Sequence, residues 1–148
     1  EAAEALIAEA ARLEAAGAGF RSHEAHNVFL EESADAAAGP AAELDRVTLR
    51  AKEFGSSKVL IAMDHVGADS QLLEVYRWEP LRLFLQQVFG LQQLHRSADA
   101  LGGTYYNIFD GAYSDTLGWH FDRSPFSMNL ILQTTPGAGG DFQYVPDS

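Results

Sequence analysis

The sequence predicts an α+β fold, helical over roughly its first two thirds and β-structured towards its end. Three observations predict it. Apolar residues recur at helical spacing near the N-terminus. Near Leu101 the chain changes to short aromatic and β-branched runs. Turn signals, Asp110-Gly111, Ser124-Pro125 and Pro136-Gly137-Ala138-Gly139-Gly140, separate those runs. Residues 1–100 are read as a mainly helical support region and residues 101–148 as the first strands of a β-structure, both within one domain.

Residues 3–16 are strong helix formers with Leu6, Ile7, Ala10 and Leu13 on one face, and Gly17 and Gly19 end the run. Residues 23–30 suit a short strand but are ambiguous, residues 33–42 read as a loop or weak helix, and residues 43–53 read as a helix. SKVLIAM, residues 57–63, is a short apolar run after Gly55-Ser56 and predicts a strand. Helices follow over 70–76 and 79–89. The second opens on Glu79-Pro80, where proline is tolerated, and stops at Gly90. Its stripe of Leu81, Phe84, Leu85 and Val88 predicts a core-facing side. Residues 104–110, 126–133 and 141–145 predict strands.

Hydrophobic residues make up 47% of the 148, enough for a real core. The net charge of −11 argues against nucleic acid, whose phosphates call for a basic face. Without cysteine there is no disulfide, thiolate zinc site or cysteine nucleophile, and a reducing cytoplasm fits. No apolar run reaches the roughly 18 residues of a membrane-spanning helix, so no membrane partner is expected. No signal peptide is visible. Glu1 already lies inside a helical pattern and Ser148 follows a strand-like run, so the chain is expected to be part of something longer.

Trp119-His120-Phe121-Asp122 carries the chemistry. On a strand, residues two apart share a face, so His120 and Asp122 would present an imidazole and a carboxylate side by side. Such a pair suits two adjacent positions on a metal, and a distant second histidine would complete a 2-His-1-carboxylate triad for iron(II). A surface salt-bridged pair is the plain alternative for a bare H-x-D. His23 and His26, three apart, suit either paired ligands on a helix or a strand entry at the surface; His65 sits at a strand end and His95 in a polar stretch.

With its surroundings the motif says more. Asp99-Ala-Leu-Gly102, Tyr106-Asn107, Gly118-Trp-His-Phe-Asp122, Phe126 through Gln133 and Gly139-Gly-Asp-Phe-Gln-Tyr-Val-Pro146 together resemble the iron(II)/2-oxoglutarate oxygenases. The similarity is to the group of radical halogenases and hydroxylases of free amino acids, lysine halogenases among them. It covers about a third of the chain. KVLIAMDHVGADSQL and YRWEPLRLF upstream are similar too, less specifically.

The resemblance implies a double-stranded β-helix, or jelly roll, with helices packed outside. It implies iron(II), 2-oxoglutarate and O₂, with 2-oxoglutarate decarboxylated to succinate as an aliphatic carbon of a small molecule, such as a free amino acid, is hydroxylated. Halogenating members have a small residue where this chain has Asp122, so hydroxylation is expected over halogenation. Asn107 would donate an amide hydrogen to 2-oxoglutarate, or be a sheet-edge asparagine; Arg123 would grip a substrate carboxylate, or be a plain surface arginine. Trp119 would be core support for His120, and Tyr106 is read as core. The family's second histidine and its 2-oxoglutarate arginine lie further along; no histidine follows His120 and no arginine follows Arg123, so both are expected beyond residue 148. A β-helix also needs about eight strands, more than can be found here, and the unpaired edges leave a homo-oligomer open. The rival expectation is a β-helix domain of this lineage that binds a ligand or partner without turnover.

Overall fold

In the computed structural model, residues 2–26, 54–122, 126–137 and 141–144 are described. They form helix α1 (Ala2–Ala15), strands β1 (Phe20–His26) and β2 (Phe54–Ile61), a 3₁₀ turn (Met63–His65), helices α2 (Gln71–Arg77) and α3 (Glu79–Val88), strand β3 (Tyr106–Ile108) and a second 3₁₀ turn (Gly111–Tyr113). The class is α+β, with an open sheet in the order β1-β2-β3. β2 and β3 run antiparallel, pairing Val59 with Ile108, Leu60 with Asn107 and Ile61 with Tyr106. No described helix is long and apolar enough to cross a membrane.

The chain divides into two compact units, one of Glu1–Arg21, Val59–Ile108 and Leu132–Thr134, the other of Ser22–Lys58, Phe109–Ile131 and Thr135–Ser148. The first holds the core: Leu6 and Leu13 of α1, Ile61 of β2, Val66 just after the first 3₁₀ turn, Leu72 and Leu73 of α2, and Tyr106 of β3. Leu6 and Leu13, seven apart, lie on one helical face, and Ala10 between them packs against the same cluster. Each buried leucine contributes about 1.5–3 kcal/mol relative to exposure. A polar clamp ties the same elements. The Glu9 carboxylate of α1 accepts hydrogen bonds from the Ser70 hydroxyl and, at 2.7 Å, from the Tyr106 hydroxyl. Ser70 is the N-cap of α2 and accepts from the Leu72 amide at 3.0 Å.

α3 departs from expectation. Of the predicted core stripe Leu81 and Leu85 are half-buried, but Phe84 and Val88 are about 60% exposed, so the stripe is only partly buried. Polar contacts with the segment that turns back after Gly90 help hold the helix. Arg82 donates to Glu79 and to the Leu94 carbonyl, Arg96 donates to the Tyr76 and Arg77 carbonyls and to Glu79, and Gln86 bonds Gln92 and Leu94. These bonds, first Arg82 and then Arg96, lower the pKa of Glu79 to about 2.

Towards the C-terminus the expected strands shrink. Of residues 104–110 only Tyr106–Ile108 pair as a strand, and the described residues of 126–133 and 141–145 form none. The rings of Phe142 and Tyr144, two residues apart, lie 6.4 Å from each other. A strand needs a ladder partner, and none pairs with these segments among the described residues. The helix expected over 43–53 and the segment 33–42 lie outside the described residues, as do residues 27–30.

Candidate metal centre

The second unit builds its motif from β2 outwards. Ser57 forms an antiparallel bridge with Thr116, its amide donating to the Thr116 carbonyl at 2.8 Å and its carbonyl accepting from the Thr116 amide at 3.1 Å. The Ser57 hydroxyl donates to Asp115, whose other oxygen accepts from the Asp110 amide at 3.1 Å. Asp110 also caps the 3₁₀ turn after it, its side chain accepting from the Ala112 amide. The Asp110-Gly111 signal thus becomes a tight turn that returns the chain along β2.

Two residues past the bridge, Gly118 comes against the β2 backbone. A Cβ there would sit 2.8 Å from the Gly55 carbonyl oxygen and 2.8 Å from Phe54 Cβ. Only glycine fits without displacement. The Gly118 amide donates to the Ser56 hydroxyl at 2.8 Å, and Ser56 is buried.

His120 and Asp122 follow. Nε2 of His120 lies 3.2 Å from Oδ1 of Asp122, and Nδ1 lies 2.7 Å from the Gly118 carbonyl oxygen. A carbonyl oxygen can only accept, so Nδ1 carries its hydrogen and donates. Nε2 is then the nitrogen directed to the carboxylate. Two adjacent ligands at ~2.1 Å from one divalent ion stand about 3 Å apart, so the separation fits a shared metal. It equally describes the salt-bridged pair that the sequence left open. The side chains are 29% and 52% exposed, so the pair is reachable from solvent. Neither residue lies in an assigned strand; the i, i+2 geometry arises in an irregular segment.

Among the described residues no group of three or more His, Asp or Glu side chains could hold a metal ion, so the pair gains no third ligand there. His65 and His95 are exposed in the first unit, His65 ending a 3₁₀ turn and His95 beside Arg96. His23 is exposed on β1, where a spacing of three no longer has the meaning it has on a helix. Asn107 is exposed on β3 opposite Leu60, in the first unit, and Arg123 lies outside the described residues. Tyr106 is core, as expected, its hydroxyl on Glu9; burial first, then that bond, raises its pKa. Trp119, expected as core support, is instead 42% exposed, and the Gly118 carbonyl is one of the contacts that orient His120. Asp99-Ala-Leu-Gly102 is a turn: the Asp99 side chain accepts from the Leu101 amide, and the Leu101 carbonyl accepts from Met63.

Sequence reasoning missed Ser56 and the anchoring of Gly118. The strand that the sequence predicts begins at residue 57, one past Ser56, and the glycine beside Trp119-His120 is the available signal. No family model, no curated protein and no solved structure matches the chain.

Proposed function

We propose that His120 and Asp122 are two of the three protein ligands of an iron(II) centre in a 2-oxoglutarate-dependent oxygenase, and that the domain is a double-stranded β-helix. The observation that carries this reading is the 3.2 Å approach of Nε2 to Oδ1 with Nδ1 tied back to a backbone carbonyl. Metal-bound histidines commonly donate their other ring hydrogen to a carbonyl or carboxylate, which fixes the tautomer and the ring. Asp122 brings a negative charge to offset part of the metal's. The iron would supply activation of O₂ coupled to loss of CO₂ from 2-oxoglutarate. The balance is substrate C–H, 2-oxoglutarate and O₂ in, substrate C–OH, succinate and CO₂ out.

The substrate in this reading is a small molecule, a free amino acid first. Arg123 would take its carboxylate and Asn107 would donate to 2-oxoglutarate. The setting would be the cytoplasm, without nucleic-acid or membrane partners and with a homo-oligomer possible. Asp122 takes the position that a halide needs, which favours hydroxylation. The test is succinate formation from 2-oxoglutarate by the natural protein that carries this sequence, with iron(II), O₂, chloride and a panel of amino acids, beside its His120→Ala variant. Hydroxylated amino acid and succinate, both lost in the variant, are expected. A chlorinated product would favour the halogenase; no turnover at all would contradict the enzyme reading.

One observation favours a second reading. Phe126, Met128, Leu130, Ile131, Phe142 and Tyr144 are exposed. Together with the missing third ligand among the described residues, this suits a domain that binds a ligand or partner without turnover. Absence of turnover with retained folding would support that reading.

A further inference from the structure

We propose that Ser56 is a positioning residue for His120, acting through Gly118; the consequence for the metal rests on the oxygenase reading above, the consequence for the imidazole does not. Three observations meet at Gly118. Its amide is held by the buried Ser56 hydroxyl at 2.8 Å. Its α-carbon faces the β2 backbone too closely for any side chain. Its carbonyl accepts from His120 Nδ1 at 2.7 Å. The residue is therefore fixed on one side by β2 and on the other presents a fixed acceptor to the imidazole.

The Gly118 carbonyl accepts from Nδ1 and so holds the ring with Nε2 towards Asp122, an acceptor 3.2 Å away. Ser56 decides whether that carbonyl is in place. Without the hydroxyl, the Gly118 amide loses its partner, and the chain between Thr116 and His120 is free to turn the carbonyl away from the ring. The effect of Ser56 reaches His120 and Asp122 through the backbone geometry at Gly118.

The test uses the chain labelled with ¹⁵N at histidine and compares the wild type with Ser56→Ala and Ser56→Thr. Imidazole nitrogen shifts of the neutral ring report which nitrogen carries hydrogen, and a Mn(II) titration reports affinity at the pair. The wild type is expected to show His120 protonated at Nδ1. Ser56→Ala is expected to move the population towards the Nε2–H form and to weaken Mn(II) binding about tenfold, as is common when a group supporting a ligand is lost. Ser56→Thr, which keeps the hydroxyl, is expected to restore both. A wild-type ring protonated mainly at Nε2, or a tautomer unchanged in Ser56→Ala, would overturn the proposal even if metal binds. A tautomer shift without any Mn(II) effect at His120 would support the relay and contradict the metal reading. Should Ser56→Ala not fold, hydrogen exchange of the wild-type Gly118 amide decides: slow exchange supports the anchoring, and exchange at the rate of an open chain overturns it.

Discussion

Replacing Gly118 with alanine tests the geometry from which the candidate site is built. The added methyl would lie 2.8 Å from the Gly55 carbonyl oxygen, 2.8 Å from Phe54 Cβ and 3.0 Å from the Phe54 carbonyl carbon. Two of these three neighbours are main-chain atoms, so no rotamer change relieves the clash. Reaching ordinary contact requires a shift of roughly 0.6 Å, comparable to the rearrangements that make core overpacking cost about 1–3 kcal/mol. The same shift would stretch the Gly118–Ser56 bond and the nearby Ser57–Thr116 bond, both 2.8 Å now, towards the limit of useful hydrogen bonding. Gly55→Ala is the matched control, because a Cβ at Gly55 meets nothing within 4 Å. Urea unfolding read by circular dichroism should place the Gly118→Ala midpoint lower by roughly 1 M, with m of about 1–3 kcal/mol/M, and leave Gly55→Ala within about 0.5 M of the wild type. Equal midpoints for the two variants would refute the close approach, and with it the account of how His120 is placed.

Tyr106→Phe removes the hydroxyl from the Glu9 carboxylate and should cost about 1–3 kcal/mol near neutral pH by urea unfolding. Because the Tyr106 pKa is raised in the fold, its contribution is complete below about pH 10 and lost as pH rises further; the gap between wild type and variant should narrow above pH 10, and a constant gap would count against it. Glu79 should titrate at about 2 in a carboxyl NMR experiment and move back towards the ordinary 4.5 in Arg82→Ala. Its lowered value means that its contribution exists above about pH 4.5 and disappears as pH falls through about 2, and a wild-type midpoint near 4.5 would contradict the Arg82 and Arg96 bonds. With no third ligand beside the pair among the described residues, this chain should bind iron(II) weakly and release no succinate from 2-oxoglutarate; succinate above a His120→Ala control would place a third ligand within the chain.

Elements whose burial follows from their own periodicity were legible. α1 carries Leu6 and Leu13 into the core as its spacing predicts, and the turn at Asp110-Gly111 forms where the signal stands. α3 shows the limit. Its apolar stripe is real, but burial depends on a covering surface; Leu81 and Leu85 are half-buried, Phe84 and Val88 stay exposed, and polar bonds to residues 92–96 help hold the helix. Residues 126–133 show it for strands, since β propensity is realised only when a partner supplies the ladder. At the candidate site, spacing foretold the approach of His120 and Asp122. It could not foretell the irregular backbone that brings it about, nor Ser56, which is distant in sequence and meets Gly118 only once Ser57 and Thr116 have paired.

The central claim is that His120 and Asp122 share a divalent ion. Paramagnetic broadening by Mn(II), followed residue by residue in amide NMR spectra of this chain, tests it most directly, because binding too weak for calorimetry still marks its location. The resonances of residues 118–122 are expected to broaden first, and His120→Ala and Asp122→Ala are each expected to abolish this. Broadening confined to other acidic surfaces, or unchanged at 118–122 in His120→Ala, would contradict it.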